Sequence, residues 1–269
     1  MEQALHALAR SRVPLPMLRN VVFMGMGEPL NNYAAVIAAI KLLTAAPRRG
    51  GFGVARSRVT VSTVGIVPRM RTLAADAPGV RLALSLHAPS QAEREQLVPS
   101  ATTFSLPALL EAAAAHAAAP GGAPPLIEYV LLRGVNDSAQ HAVALGALLA
   151  GRQGWAVNLI PFNRVAGAPY DAPAAADVVA FQAALRTAFG INATVRRAMG
   201  QVRPALRRRL GIRAAALHAP DAVCRAQDIA GACGQLAAED FPAAAAGAAA
   251  AADIEDLPAQ VALMACYAR

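Results

Sequence analysis

The residues of this chain that could do chemistry are a lone thiol and five polar strand ends. The thiol is Cys233, set between small residues in "QDIAGACGQLAAED"; as a thiolate it would be a strong nucleophile, whereas a packed cysteine is merely a small hydrophobe. The polar ends are "MGMGEP", "VSTVG", "SLHAP", "IEYVLLRGVND" and "NLIPFN". Gly25 and Gly27 permit close backbone approach, and Glu28 offers a carboxylate to an ammonium or hydroxyl group. Ser62, Ser85, His87 and Asn163 add short donors and acceptors. Each has a plain structural reading as well. "GMGEP" also suits a tight turn before a helix-starting proline, and His87 suits a core histidine satisfied by a carbonyl. Five such ends in succession suit a pocket that takes an amino-acid moiety and an adenosine.

The elements that must position these residues alternate. Apolar, mostly β-branched runs at Asn20 to Met26, Arg58 to Ser62, Val80 to Leu86, Leu126 to Leu132, Ala156 to Ile160 and Ala193 to Arg196 read as strands buried on both faces. Between them, Asn32 to Ala45, Pro68 to Ala75, Pro107 to Ala118, Ser138 to Ala150 and Ala174 to Phe189 read as helices, several with a capping residue or a first-turn proline. Such βαβα alternation predicts an α/β fold with a parallel sheet, either doubly wound or a closed or partial barrel. Ligands of both layouts gather at the carboxyl ends of the strands, where the polar residues lie.

With 269 residues, 56% of them hydrophobic, the chain is long enough for one large core. Cys224, Cys233 and Cys266 match neither a zinc site nor a secreted disulfide framework, which points to a reducing compartment. The long apolar runs are alanine broken by Gly, Pro or charge, so no membrane span is expected. The start, "MEQALHALARSRVPLP", lacks a signal-peptide core and reads like the middle of a helix. A net charge of +8 invites a polyanion, but "VRPALRRRLGIRAAALHAPDAVCRAQ" alone holds six arginines against one acid. That segment is either a solvated face or an RNA-contacting one.

Taken together, "NVVFMGMGEPLNNY", "RVTVSTVGIVP", "LALSLHAP", "IEYVLLRGVNDS", "NLIPFN" with "GAPY", and "DIAGACGQLA" resemble the radical S-adenosylmethionine (SAM) methyltransferases that methylate adenine C-2 in 23S ribosomal RNA and tRNA. The match runs from about Asn20 to Ala237. It implies a partial (β/α)6 radical SAM barrel and SAM contacts from Gly27, Glu28, Ser62, Ser85, Leu86, His87 and Asn163. It makes Cys233 the methyl carrier. In that chemistry the thiolate takes a methyl group from one SAM, loses a hydrogen atom to a radical made from a second, and the methylene radical adds to adenine C-2. Gly231 and Gly234 would let its loop move. Monomeric action on rRNA and tRNA is expected, in the cytoplasm or, if an organellar signal has been lost, in a plastid or mitochondrion.

The family also implies a [4Fe-4S] cluster on a C-x3-C-x2-C loop, and no such motif occurs in the 269 residues. Its ligands, the first barrel strand, the cysteine that resolves the RNA adduct, the glutamate proposed as base and an N-terminal RNA-binding domain are expected before residue 1, which makes the chain N-terminally truncated. The resemblance divides the sequence into an incomplete barrel (1–200), an Arg-rich insertion (201–227), the methyl-carrier segment (228–240) and an Ala-rich tail of low order (241–269). Removing Val202 to Gln227 leaves "RRAMGQDIAGACGQL", the join expected of the family, so the insertion reads as a retained intron or as extra protein whose Arg207, Arg208 and Arg209 could touch RNA. Two other readings stand: a non-catalytic fragment or SAM/RNA-binding remnant, and an unrelated phosphate-binding barrel lyase. The lyase would want a catalytic lysine or metal ligands, and Lys41, the only lysine, falls on an outer helix.

Overall fold

A computed structural model describes residues 20–24, 27–163 and 168–196. Cys224, Cys233 and Cys266, the insertion at 201–227, the methyl-carrier segment and the tail all lie outside the described residues. So do Gly25 and Met26.

Six strands form one sheet: β1 (Val21–Phe23), β2 (Val59–Thr63), β3 (Arg81–Ser85), β4 (Leu126–Leu131), β5 (Ala156–Pro161) and β6 (Asn192–Val195). Every adjacent pair is parallel, and the spatial order is the chain order. A doubly wound sheet reverses its order at a switch point, whereas a barrel does not. The sequential order therefore selects the barrel type. Strands β1 and β6 are not paired to each other, which makes the described sheet an open, partial barrel.

Helices connect the strands: α1 (Tyr33–Thr44), α2 (Val67–Asp76), α3 (Gln91–Leu97), α4 (Leu106–Ala118), α5 (Ala139–Leu149) and α6 (Ala175–Phe189). In α1 the buried residues are Val36, Ile37, Ile40 and Leu43, one stripe at helical spacing, and Lys41 lies on the exposed side as expected. Pro68 and Pro107 occupy the first turns of α2 and α4, where their missing N–H costs nothing. Helix α5 starts at a capping box in which the Ser138 side chain accepts from the His141 N–H and the His141 ring accepts from the Ser138 N–H. Helix α6 stops at Gly190, which takes φ of 65°.

The strand register assigns the two sheet faces. Val59, Val61, Leu84, Ile127, Val157 and Leu159 share the face packed under the helices and belong to the main core. The opposite face carries Thr60 and Ser62 of β2, Arg81, Ala83 and Ser85 of β3, Glu128 of β4, Asn158 of β5 and Asn192 and Thr194 of β6. The sequence predicts strands apolar on both sides; instead the inner face is mixed, with Ala83, Leu126, Val130, Ala156 and Ile160 alternating with the polar residues, and on it Val22, Arg81 and Thr194 are exposed. Short hydroxyl and amide groups hide in an apolar run because they occupy alternate positions only.

Helix α3 and the 3-10 turns Pro47–Arg49, Arg56–Arg58 and Pro99–Thr102 are absent from the sequence-based element assignment. Among the described residues no helix is long and apolar enough to cross a membrane.

Candidate functional site

The carboxyl ends of the parallel strands bring the predicted site residues to one end of the sheet. Gly27 follows β1 and adopts φ of 72°, a left-handed turn in which nothing lies within 4 Å of where a Cβ would be. This turn delivers Glu28 to a buried position. There the Leu30 N–H donates to Glu28 Oε1 and the Val64 N–H to Oε2, each at 2.9 Å. The carboxylate thus ties the loop after β1 to the end of β2, a bracing role that the sequence alone did not suggest. Burial pushes its pKa up to about 7; desolvation outweighs the opposing pull of the two N–H donors and of Thr63.

Ser62 in β2 and Ser85 at the end of β3 are buried on the inner face, and their hydroxyls make no hydrogen bond among the described residues. Leu86, also buried, extends the β3 pairing through its N–H to the Glu128 carbonyl at 3.0 Å. His87 is wholly buried and is the one non-glycine residue with positive φ, 62°, among the described residues. That conformation is costly for a residue with a Cβ and persists only where neighbours enforce it. The enforcement is visible: the Val130 N–H donates to His87 Nδ1 at 3.2 Å, and the His87 carbonyl accepts from Asn136 Nδ2 at 2.9 Å. With Nδ1 as acceptor, the neutral ring carries its proton on Nε2. A core histidine satisfied by a carbonyl was the plain expectation; at Nδ1 the partner is a backbone N–H. Asn163 follows β5, half-buried, at the same end.

Three further residues build this end of the sheet. Asn136, from "RGVND", spends its whole amide: Nδ2 donates to the His87 and Val130 carbonyls, and Oδ1 accepts from the Leu132 N–H. Arg94 of α3 is buried and donates to the carbonyls of Val64, Ser85 and Leu86, which fastens the ends of β2 and β3. Burial lowers its pKa to about 10. Glu128 sits beside Ser85 in the register, 3% exposed, and burial raises its pKa. Asn136 and Glu128 were in view as parts of a strand-end motif, but nothing in their types singled them out. Arg94 lies on a helix too short for a periodic signal.

Among the described residues no group of three His, Cys, Asp or Glu could hold a metal ion. The described residues therefore do not fit an iron-sulfur cluster. They do fit a polar nucleoside ligand: two inner-face hydroxyls that make no hydrogen bond among the described residues lie among buried acceptors and a rigidly held backbone.

The sequential order of parallel strands makes this a partial barrel, and likeness to a solved structure assigns it to the radical SAM class. A crystal structure titled a radical SAM methyltransferase, from Sphaerobacter thermophilus, superposes with a TM-score of 0.66 at 39% identity, covering 72% of this chain and 55% of that one. A domain of pyruvate-formate lyase-activating enzyme from Bacteroides vulgatus shares the fold alone, at 20% identity and a TM-score of 0.50, over 66% of this chain and 99% of that one. No family model matches the chain. A protein of Frankia alni named probable dual-specificity RNA methyltransferase RlmN is 45% identical over 222 residues, 82% of this chain and 46% of that protein. One of the same name from Nocardioides is 42% identical over 239 residues, 87% of this chain and 56% of its own length. Over the aligned span this chain belongs to the RlmN-type family of radical SAM methyltransferases. It spans about half the length of the curated relatives it matches.

Proposed function

We propose that this chain is the barrel portion of a SAM-dependent methyltransferase that places a methyl group on adenine C-2 of ribosomal RNA and tRNA. The observation that carries the reading is the 45% identity over 222 residues, within which the strand-end residues of the motif converge on one end of the sheet. In this reading Gly27, Glu28, Ser62, Ser85, Leu86, His87 and Asn163 hold SAM. Ser62 and Ser85 supply hydroxyls, Asn163 an amide, and the left-handed backbone at Gly27 and His87 turns main-chain groups toward the ligand.

Cys233 is the methyl carrier. Its thiol gives up a proton, the thiolate sulfur bonds to the SAM methyl carbon, and the methyl–sulfonium bond breaks with its electrons going to sulfur, leaving S-adenosylhomocysteine and an S-methylcysteine. A [4Fe-4S] cluster in such an enzyme supplies the one-electron reduction of a second SAM. No step of that kind is assigned to the described residues. The RNA partner has support in the charge distribution: from Pro29 to Ala75 there is no acidic residue, against seven Lys and Arg. The compartment this reading takes for action on such a partner is the cytoplasm.

Calorimetric titration of the 269-residue chain with SAM tests the binding half of the reading, and mass spectrometry of Cys233 after incubation with methyl-labelled SAM tests the carrier. Saturable binding that weakens in Ser85→Ala, with label on Cys233, is expected. A chain that binds no SAM would overturn the proposal.

A further inference from the structure

The inner face of the sheet carries one carboxyl group whose hydrogen bonding is incomplete. Glu128 is 3% exposed, and its Oε2 is buried without a hydrogen-bond partner among the described residues. Its Oε1 has a single donor among the described residues, Asn158 Nδ2, at 3.5 Å, the limit of a useful contact. A buried acceptor left unmade costs free energy, so a native structure that keeps one calls for an explanation. Its surroundings are built in register. Ser85 pairs with Glu128, Glu128 with Asn158, and Asn158 with Thr194, which sets hydroxyl, carboxyl, amide and hydroxyl in one row across four strands. The row is itself linked, because Thr194 Oγ1 donates to Asn158 Oδ1 at 3.2 Å and so turns the Asn158 amide nitrogen toward Glu128. Glu28, the other buried carboxylate of the site, differs in that both its oxygens already hold backbone N–H groups.

We propose that Glu128 is a ligand-binding residue, its open carboxyl oxygen accepting hydrogen bonds from the vicinal hydroxyl pair of a nucleoside ribose. The chemistry favours a diol over an ammonium group. A carboxyl beside a carboxamide offers an acceptor and a donor to two adjacent hydroxyls, as acidic residues do for ribose in other nucleotide sites. An ammonium ion needs several acceptors around one point, but Asn158 Oδ1 already accepts from Thr194, and the Arg196 cation already acts on Glu128. Position agrees, because Ser85, its register partner, is one of the residues assigned to SAM. The inference rests on the reading that this end of the sheet binds SAM, and it adds the residue that selects the ribose.

The experiment compares S-adenosylhomocysteine with its 2′,3′-dideoxy analogue by calorimetry, on the whole chain and on Glu128→Gln. The unaltered protein is expected to bind the dideoxy analogue about tenfold or more weakly. Glu128→Gln is expected to lose about the same factor for the parent ligand and little for the analogue, so the two losses are not additive. Equal weakening of both ligands by the substitution, or equal affinity of the unaltered protein for both, overturns the diol contact while leaving the SAM reading intact. Failure of the unaltered protein to bind either ligand sinks the SAM reading and this inference together. If Glu128→Gln does not fold, the ligand comparison on the unaltered protein still decides, and Asn158→Ser, at a half-buried position, serves as the second variant.

Discussion

The carboxamide of Asn136 donates a 2.9 Å hydrogen bond to the main-chain carbonyl of His87, 49 residues earlier in the chain. Through the same nitrogen it donates to the Val130 carbonyl, and its oxygen accepts from the Leu132 N–H, both at 2.7 Å. The end of β3 is thereby clamped to the end of β4, with His87 held at φ of 62° between them. Asn136→Ala leaves two carbonyls and one N–H buried and unpaired, which is expected to destabilise the fold by about 3 kcal/mol. Asn136→Asp separates hydrogen bonding from packing. It keeps the volume but turns an oxygen toward two carbonyl oxygens, so it is expected to cost at least as much as the alanine. Urea unfolding of the three proteins checks the order; an aspartate variant near the unaltered stability would show that the donors do not matter.

Glu28 gives the fold a pH dependence of definite sign. Its folded pKa is about 7, above the ordinary 4.5, because burial penalises the charge. Below the ordinary value both folded and unfolded chains are protonated and no penalty exists. As pH rises toward 7 the unfolded chain has already released its proton while the folded one retains it, so stability falls, and above 7 the penalty is complete. The contribution lost between about pH 4.5 and about pH 8 is about 3 kcal/mol. Glu28→Gln removes the titration, and its unfolding midpoint is expected to vary less across this range than that of the unaltered protein. Parallel pH profiles would refute the assignment.

Gly146 lies in the interior of α5, where helix propensity alone favours alanine by about 1 kcal/mol. The structure reverses the sign. A Cβ at Gly146 would stand 2.2 to 2.5 Å from three ring atoms of Phe189, at the end of α6. Overpacking of that kind typically costs about 1–3 kcal/mol. Gly146→Ala is therefore expected to lower thermal stability by several degrees, while Gly146→Ala combined with Phe189→Leu recovers part of the loss. A single substitution that stabilises would mean that α5 and α6 pack less closely than described.

The strands and five of the helices were legible because their signals are local: β-branched runs for β1 to β6, and caps or first-turn prolines for α1, α2, α4, α5 and α6. Helix α3 was not, although Ser90 and Glu93 form an N-terminal cap signal, because its seven residues bury only Arg94 and Leu97 and give no periodic stripe. The placement of Glu28, Ser62, Ser85, His87 and Asn163 toward the carboxyl ends of their strands was legible through the strand-end rule, and their part in holding SAM is proposed from the resemblance. What the residue types could not reveal is which side of each strand faces inward. That depends on register across strands, so Glu128, apparently one polar residue inside the apolar run "LIEYVL", became conspicuous only beside Ser85 and Asn158.

The cations between Pro29 and Ala75 give the proposed RNA partner a quantitative test. Arg71 is paired with Glu111 at 3.5 Å, and the Arg69 guanidinium stacks on the Tyr33 ring at 4.9 Å, so these two are partly engaged within the protein. Arg48, Arg49 and Arg58 sit in the exposed 3-10 turns that lead into β2, at the amino end of the sheet and away from the strand ends that hold the candidate site. Each arginine that neutralises a phosphate releases a counterion and steepens the fall of log K with log salt by about 0.7 to 0.9. Replacing Arg48, Arg49 and Arg58 together by glutamine is expected to shallow the slope for an rRNA or tRNA fragment by about 2, to weaken RNA binding at low salt, and to leave SAM binding unchanged. A slope identical to that of the unaltered protein would place the RNA elsewhere on the molecule, because exposed guanidinium groups in contact with phosphate cannot be removed without changing the ion count.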